Sequence, residues 1–175
     1  MRALLAFVLV LALLPTAALA HTGHGDTSGL VHGFMHPVSG FDHLFAMVAV
    51  GILAFAMGGR SLLLVPVSFV AMMVGGFALG AAGVELPWLE LGIAASGIVI
   101  LAAVLLRRIL PTAVAMALVG VFGVFHGVAH GLEMPATASG LEYALGFVSA
   151  TALLHLGGIV VALAVAASAR AVAAR

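Results

Sequence analysis

Two short stretches of this chain concentrate side chains that bind metals. The first is His36-Pro37-Val38-Ser39-Gly40-Phe41-Asp42-His43, with Met47 one helical turn beyond His43. The second is His126-Gly127-Val128-Ala129-His130-Gly131-Leu132-Glu133. A spacing of four puts the imidazoles of His126 and His130 on one helical face, and Glu133 follows at i+3 near that face. His155 stands by itself further on. Imidazole nitrogen combined with carboxylate oxygen suits a borderline divalent ion such as nickel, zinc, copper or cobalt. The chain has 8 histidines and no cysteine, so thiolate sites, iron–sulfur clusters and disulfides are all excluded.

Each group also has a plainer reading. His126 and His130 could hydrogen-bond between helices or ligate a b-type haem. Asp42 suits a helix N-terminus, where an acid meets the positive end of the dipole. His155 is as well read as a satisfied core histidine as a ligand. Met72, Met73 and Met116 read as packing, whereas the position of Met47 below His43 suggests more. His21 and His24 read as a solvated tail, and His32 belongs with them. Intramembrane ionisable groups nevertheless point to function by default, and that favours metal binding by His36, Asp42, His43, His126, His130 and Glu133.

The elements that must position these groups follow from composition. Hydrophobic residues make up 65% of the 175 and charged residues only 7%, against roughly 25% in soluble domains. Lipid must therefore cover much of the surface, and without basic stripes there is no sign of nucleic-acid binding. Residues 1–20 read as a cleavable signal peptide: Met1-Arg2, an apolar stretch, then Ala18-Leu19-Ala20. Residues 21–40 follow as a periplasmic segment, bent by Pro37 and Gly40 so that His36 folds back over the mouth of the first span. The remainder, 41–175, reads as an all-α membrane bundle of about five helices, at 41–58, 61–82, 88–106, 112–131 and 141–165. With His21 outside, the C-terminus lies inside. Arg60, Arg107, Arg108, Arg170 and Arg175 then all fall on the cytoplasmic side, as the positive-inside rule requires, and Asp26, Glu85, Glu90, Glu133 and Glu142 fall outside. Gly76 and Gly80, and likewise Gly123, Gly127 and Gly131, recur at four-residue spacing, a pattern that lets helix backbones approach in lipid.

Depth arithmetic separates the groups. At ~1.5 Å per residue, His130 lies at the outer boundary, His126 ~6 Å below it, and Asp42 and His43 in the first turn from the same side. His155 lies roughly 20 Å down, where a second station along a path fits better than a share in the outer site. A dication moving to a negative interior gains ~4.6 kcal/mol per 100 mV. The chain has no phosphate-binding Gly-x-x-x-x-Gly-Lys loop and no His-Glu-x-x-His, so ATP-driven pumping and metalloprotease chemistry are not expected, nor is enzyme activity.

At these residues the chain resembles the HupE/UreJ family of small nickel permeases associated with hydrogenase and urease assembly. The likeness rests on His36 through Gly51, with its Asp42-His43 pair and following Met47, on the His126–Glu133 element, and on Gly146 through His155. It implies an inner-membrane permease for nickel uptake, with His36, Asp42, His43, His126, His130 and Glu133 as determinants and His155 as a further candidate. Nickel comes from the resemblance alone; the residues leave cobalt, zinc and copper open. The expected partners are the divalent ion and the bilayer, with room for a homo-oligomer or a metallochaperone contact, and no permanently bound cofactor is expected. The competing readings are a b-haem redox protein and a membrane accessory subunit that binds metal without translocating it.

Overall fold

The computed structural model describes residues 29–174. The signal-peptide reading of residues 1–20 and the tail histidines His21 and His24 lie outside the described residues. Six α-helices follow in order: α1 (Gly29–Ser39), α2 (Phe41–Met57), α3 (Ser61–Ala81), α4 (Leu89–Ala103, extended by a 3₁₀ turn at Val104–Leu106), α5 (Thr112–Leu132) and α6 (Gly140–Ala173). Four segments are each long and apolar enough to cross a membrane: α3, Leu89–Leu106, α5 and α6. A fifth arises if α1 and α2, bent by 81° at Gly40, count as one broken span. The chain is thus an all-helical, multi-pass membrane protein.

The breaks fall where local chemistry puts them. Gly58 and Gly59, between α2 and α3, adopt positive φ of 68° and 53°, a region open to glycine without steric penalty. Pro111 immediately precedes α5, and its fixed φ suits a helix start. Gly40, extended at φ −89°, separates α1 from α2. Pro37, by contrast, sits inside α1 rather than bending the chain. Within the stretch read from sequence as a periplasmic segment bent by Pro37 and Gly40, residues Gly29–Ser39 form α1 and the bend lies at Gly40.

Two pairs of parallel helices form the bundle, and small residues bring each pair together. In the α3–α5 pair, a Cβ added at Gly127 would fall on the Met73 carbonyl oxygen, one at Gly76 on that of Val124, and one at Gly80 on that of Val128. Ser61 Oγ and Thr112 Oγ1, 2.8 Å apart, tie the starts of the same two helices. In the second pair, Gly51 of α2 lies against the His155 carbonyl of α6, and Gly158 against that of Val48. Further out along α6, Gly33 of α1 meets the Tyr143 carbonyl and Gly146 meets that of Leu30. Backbones this close gain dispersion contact along their whole length, which is what holds helices together where lipid removes the hydrophobic drive. The core between the pairs is made of Met47, Val50, Leu53, Phe69, Met73 and Phe147, all fully buried.

Helices alternate in direction along the chain, so the turns carrying Arg60, Arg107 and Arg108 and the C-terminal end with Arg170 share one end of the bundle. Asp42, Glu90, Glu133 and Glu142 stand at helix ends on the other side.

Candidate metal site

The end of the bundle opposite the arginines holds four imidazoles in contact. His36 comes from the last turn of α1, His43 from the first turn of α2, and His126 and His130 from the last two turns of α5. Ring centroids are 4.6 Å apart for His36–His130, 5.4 Å for His36–His43, 4.7 Å for His43–His126 and 5.5 Å for His43–His130. The 81° bend at Gly40 makes this meeting possible, because it turns α1 across the mouth so that His36 reaches α5 as well as α2. The i, i+4 spacing places His126 and His130 on one inward face, and neither is exposed at all.

Carboxylates stand at the rim. Asp42 Oδ1 accepts a hydrogen bond from its neighbour's backbone, His43 N, at 2.8 Å, and lies 3.0 Å from His43 Nδ1. That contact favours the tautomer with the proton on Nδ1 and leaves Nε2 with a free lone pair, the arrangement of a metal-ligating histidine oriented by a carboxylate. His126 shows the same logic with a backbone partner: its Nδ1 donates to the Phe122 carbonyl at 2.9 Å, again leaving Nε2 unprotonated. Glu133 Oε2 lies 3.4 Å from His36 Nε2. Burial holds the Glu133 carboxyl above its ordinary value of 4.5, since a half-buried carboxylate loses solvation when it ionises.

Among the described residues, His43 Nε2, His126 Nε2 and both ring nitrogens of His130 are buried without a hydrogen-bond partner. An unpaired buried polar atom costs about 1–3 kcal/mol, so such a cluster in an apolar bundle calls for a use. Yet among the described residues no three His, Asp or Glu side chains stand in metal-holding geometry. The rings pack edge-on or tilted against each other rather than pointing their lone pairs at a common centre. Two imidazoles bound to one ion at ~2.1 Å place their ring centroids ~5 Å apart, close to the spacings found here. What is lacking is convergence of the nitrogens.

Aromatic rings shape the floor and wall. Phe147 stacks on His130 at 4.5 Å with only 12° between ring planes. Tyr143, fully buried, lies with its ring centroid 6.3 Å from both His36 and His130, and its hydroxyl has no partner among the described residues. The sequence reading missed Tyr143. Its place directly opposite Gly33 on the facing helix could be found only once α1 was known to be a helix. Phe69 packs on His126 and His155 alike, at 5.4 Å from each. His155 is therefore separated from the four-ring cluster by a phenyl ring, as its depth along α6 suggested, and its Nε2 is also buried and unpartnered. His32 lies on α1, one turn before His36.

Comparison with known proteins places the chain clearly. Residues 9–175 match the model of a family described as HupE / UreJ protein. The chain is 43% identical over 147 residues to "Protein HupE" of Rhizobium leguminosarum bv. viciae, an alignment covering 83% of this chain and 76% of that protein. No solved structure matches it.

Proposed function

This chain belongs to the HupE/UreJ family, and we propose that it is an inner-membrane permease admitting a divalent transition metal, nickel first, through the imidazole cluster at its outer mouth. The observation that carries this reading is the meeting of His36, His43, His126 and His130 from three separate helices, with buried nitrogens left unpaired. A passing dication would be captured as these side chains rotate so that their lone pairs converge. Asp42 and Glu133 would offset its charge at the rim, and neutral imidazoles would replace its water shell. The preference for nickel over cobalt, zinc or copper rests on the family resemblance.

The arginines support an orientation: with Arg60, Arg107, Arg108 and Arg170 at one end, the positive-inside rule favours that end as the cytoplasmic one and an outward-facing histidine mouth. The membrane potential then drives a dication inward. Binding of b-haem is disfavoured, because the Phe69 ring occupies the space between His126 and His155. The remaining rival is an accessory subunit that binds metal without moving it. Radiolabelled nickel uptake into vesicles containing the purified protein separates the two. Uptake that saturates and is competed by unlabelled nickel supports the permease; bound metal without accumulation in the vesicle lumen supports the subunit.

A further inference from the structure

Inside the bundle, one turn beyond His43 on α2, sits a second group of donor atoms that the imidazole cluster does not use. Thr151 Oγ1 lies 3.3 Å from Met47 Sδ and 3.8 Å from Met73 Sδ, and all three residues are fully buried. They come from three helices, α6, α2 and α3. A threonine hydroxyl within a helix usually bonds back to the carbonyl one turn earlier, as Ser149 on this same helix does to Leu145. Thr151 instead turns its hydroxyl into the bundle, where thioether sulfur, a weak acceptor, is all it meets.

The group lies on a line. Met47 is one turn beyond His43 on α2, and His155 is one turn beyond Thr151 on α6, each step ~6 Å along the axis. Phe69, one turn from Met73 on α3, touches both His126 above and His155 below. Along α2 and α6 the donor atoms thus step from His43 to Met47, across to Thr151 and Met73, and on to the unpartnered Nε2 of His155.

Building on the permease reading, we propose that Met47, Met73 and Thr151 form an inner relay that receives the partly dehydrated cation from His43 and His126 and hands it to His155. Two thioethers and one hydroxyl bind weakly, and weak successive sites let an ion leave as readily as it enters. Sulfur also sets the filter. It favours soft and borderline ions over manganese or magnesium, which need oxygen.

The test uses the full chain reconstituted in vesicles. Met47→Leu/Met73→Leu is a volume-conserving swap, Thr151→Val keeps the branched shape but removes the hydroxyl, and Thr151→Ser keeps the hydroxyl. Nickel binding to the detergent-solubilised protein reports the outer histidines separately from transport. The relay predicts unchanged binding, a fall of about tenfold or more in maximal uptake, as losses around metal sites commonly produce, and recovery with Thr151→Ser. Variants that bind nickel normally and transport it at the wild-type rate would overturn the relay and leave the permease reading standing. If the wild type binds nickel but accumulates none, the permease reading fails and the relay with it.

Discussion

His36 and His130 stand with ring centroids 4.6 Å apart, one on the short helix that crosses the mouth and the other at the end of α5. This contact closes the cluster, because His43, His126 and His130 alone would leave its outer side open. Replacing His36 with alanine should therefore weaken nickel capture while leaving the bundle intact, since His36 lies at the rim and is not among the fully buried residues. The expected result is a rise in the KM for uptake with insertion into the membrane unchanged; an unaltered KM would remove α1 from the site.

His130→Phe separates function from stability. The ring already stacks on Phe147, and both its nitrogens are buried without partners among the described residues. A phenyl ring fills nearly the same space and has no polar atoms to leave unpaired. The variant should melt no lower than wild type, and up to about 1 kcal/mol more stable, while losing uptake. A large drop in melting temperature would mean that the nitrogens serve structure.

Asp42→Asn addresses the tautomer. The carboxylate, 3.0 Å from His43 Nδ1, holds the proton on that nitrogen; an amide can present either its oxygen or its NH₂ and no longer selects. Affinity should fall by about 10–100-fold, the usual effect of losing a partner that orients a ligand. Equilibrium nickel titration of the purified protein reads this directly.

Glu133 gives a pH signature. Burial raises its carboxyl above 4.5, so the folded protein prefers the protonated form. Its contribution to stability is full below the unfolded-state value and is lost as pH rises through the folded one. A dication at the site compensates the carboxylate, so nickel should raise the melting temperature most above that range. Glu133→Gln removes the ionisation, and its nickel-induced shift should be smaller and flatter with pH. Equal shifts in both proteins would place the metal away from Glu133.

Packing yields a test independent of metal. A Cβ at Gly127 would collide with the Met73 carbonyl, whereas one at Gly75 meets nothing within 4 Å. Gly127→Ala should destabilise by about 1–3 kcal/mol. Gly75→Ala should be neutral or slightly stabilising, because alanine loses less entropy in a helix. Thermal melts in detergent distinguish them.

Much of this was legible in the chain. The apolar stretches at 61–82, 88–106 and 112–131 match α3, α4 with its 3₁₀ turn, and α5 to within a residue or two, because lipid forces backbone hydrogen bonds into uninterrupted helices. The four-residue spacing of His126 and His130 put both on the buried face. Two features were not legible. Helix α1 is too short to register as a span, and its Pro37 suggests a break that in fact falls at Gly40. Helix α6 continues to Ala173 rather than ending near residue 165, because its alanine-rich end keeps forming helix after apolar thickness is no longer needed. Tyr143 and Thr151 carry no spacing signal of their own, and only the packing of α6 against α1, α2 and α3 shows where their hydroxyls lie.

The most direct measurement is X-ray absorption at the nickel edge on purified protein loaded with one equivalent of nickel. A site shared by these helices predicts imidazole scattering that weakens when His43 or His130 is replaced. Scattering from oxygen ligands alone, or an imidazole signal indifferent to both substitutions, would contradict it.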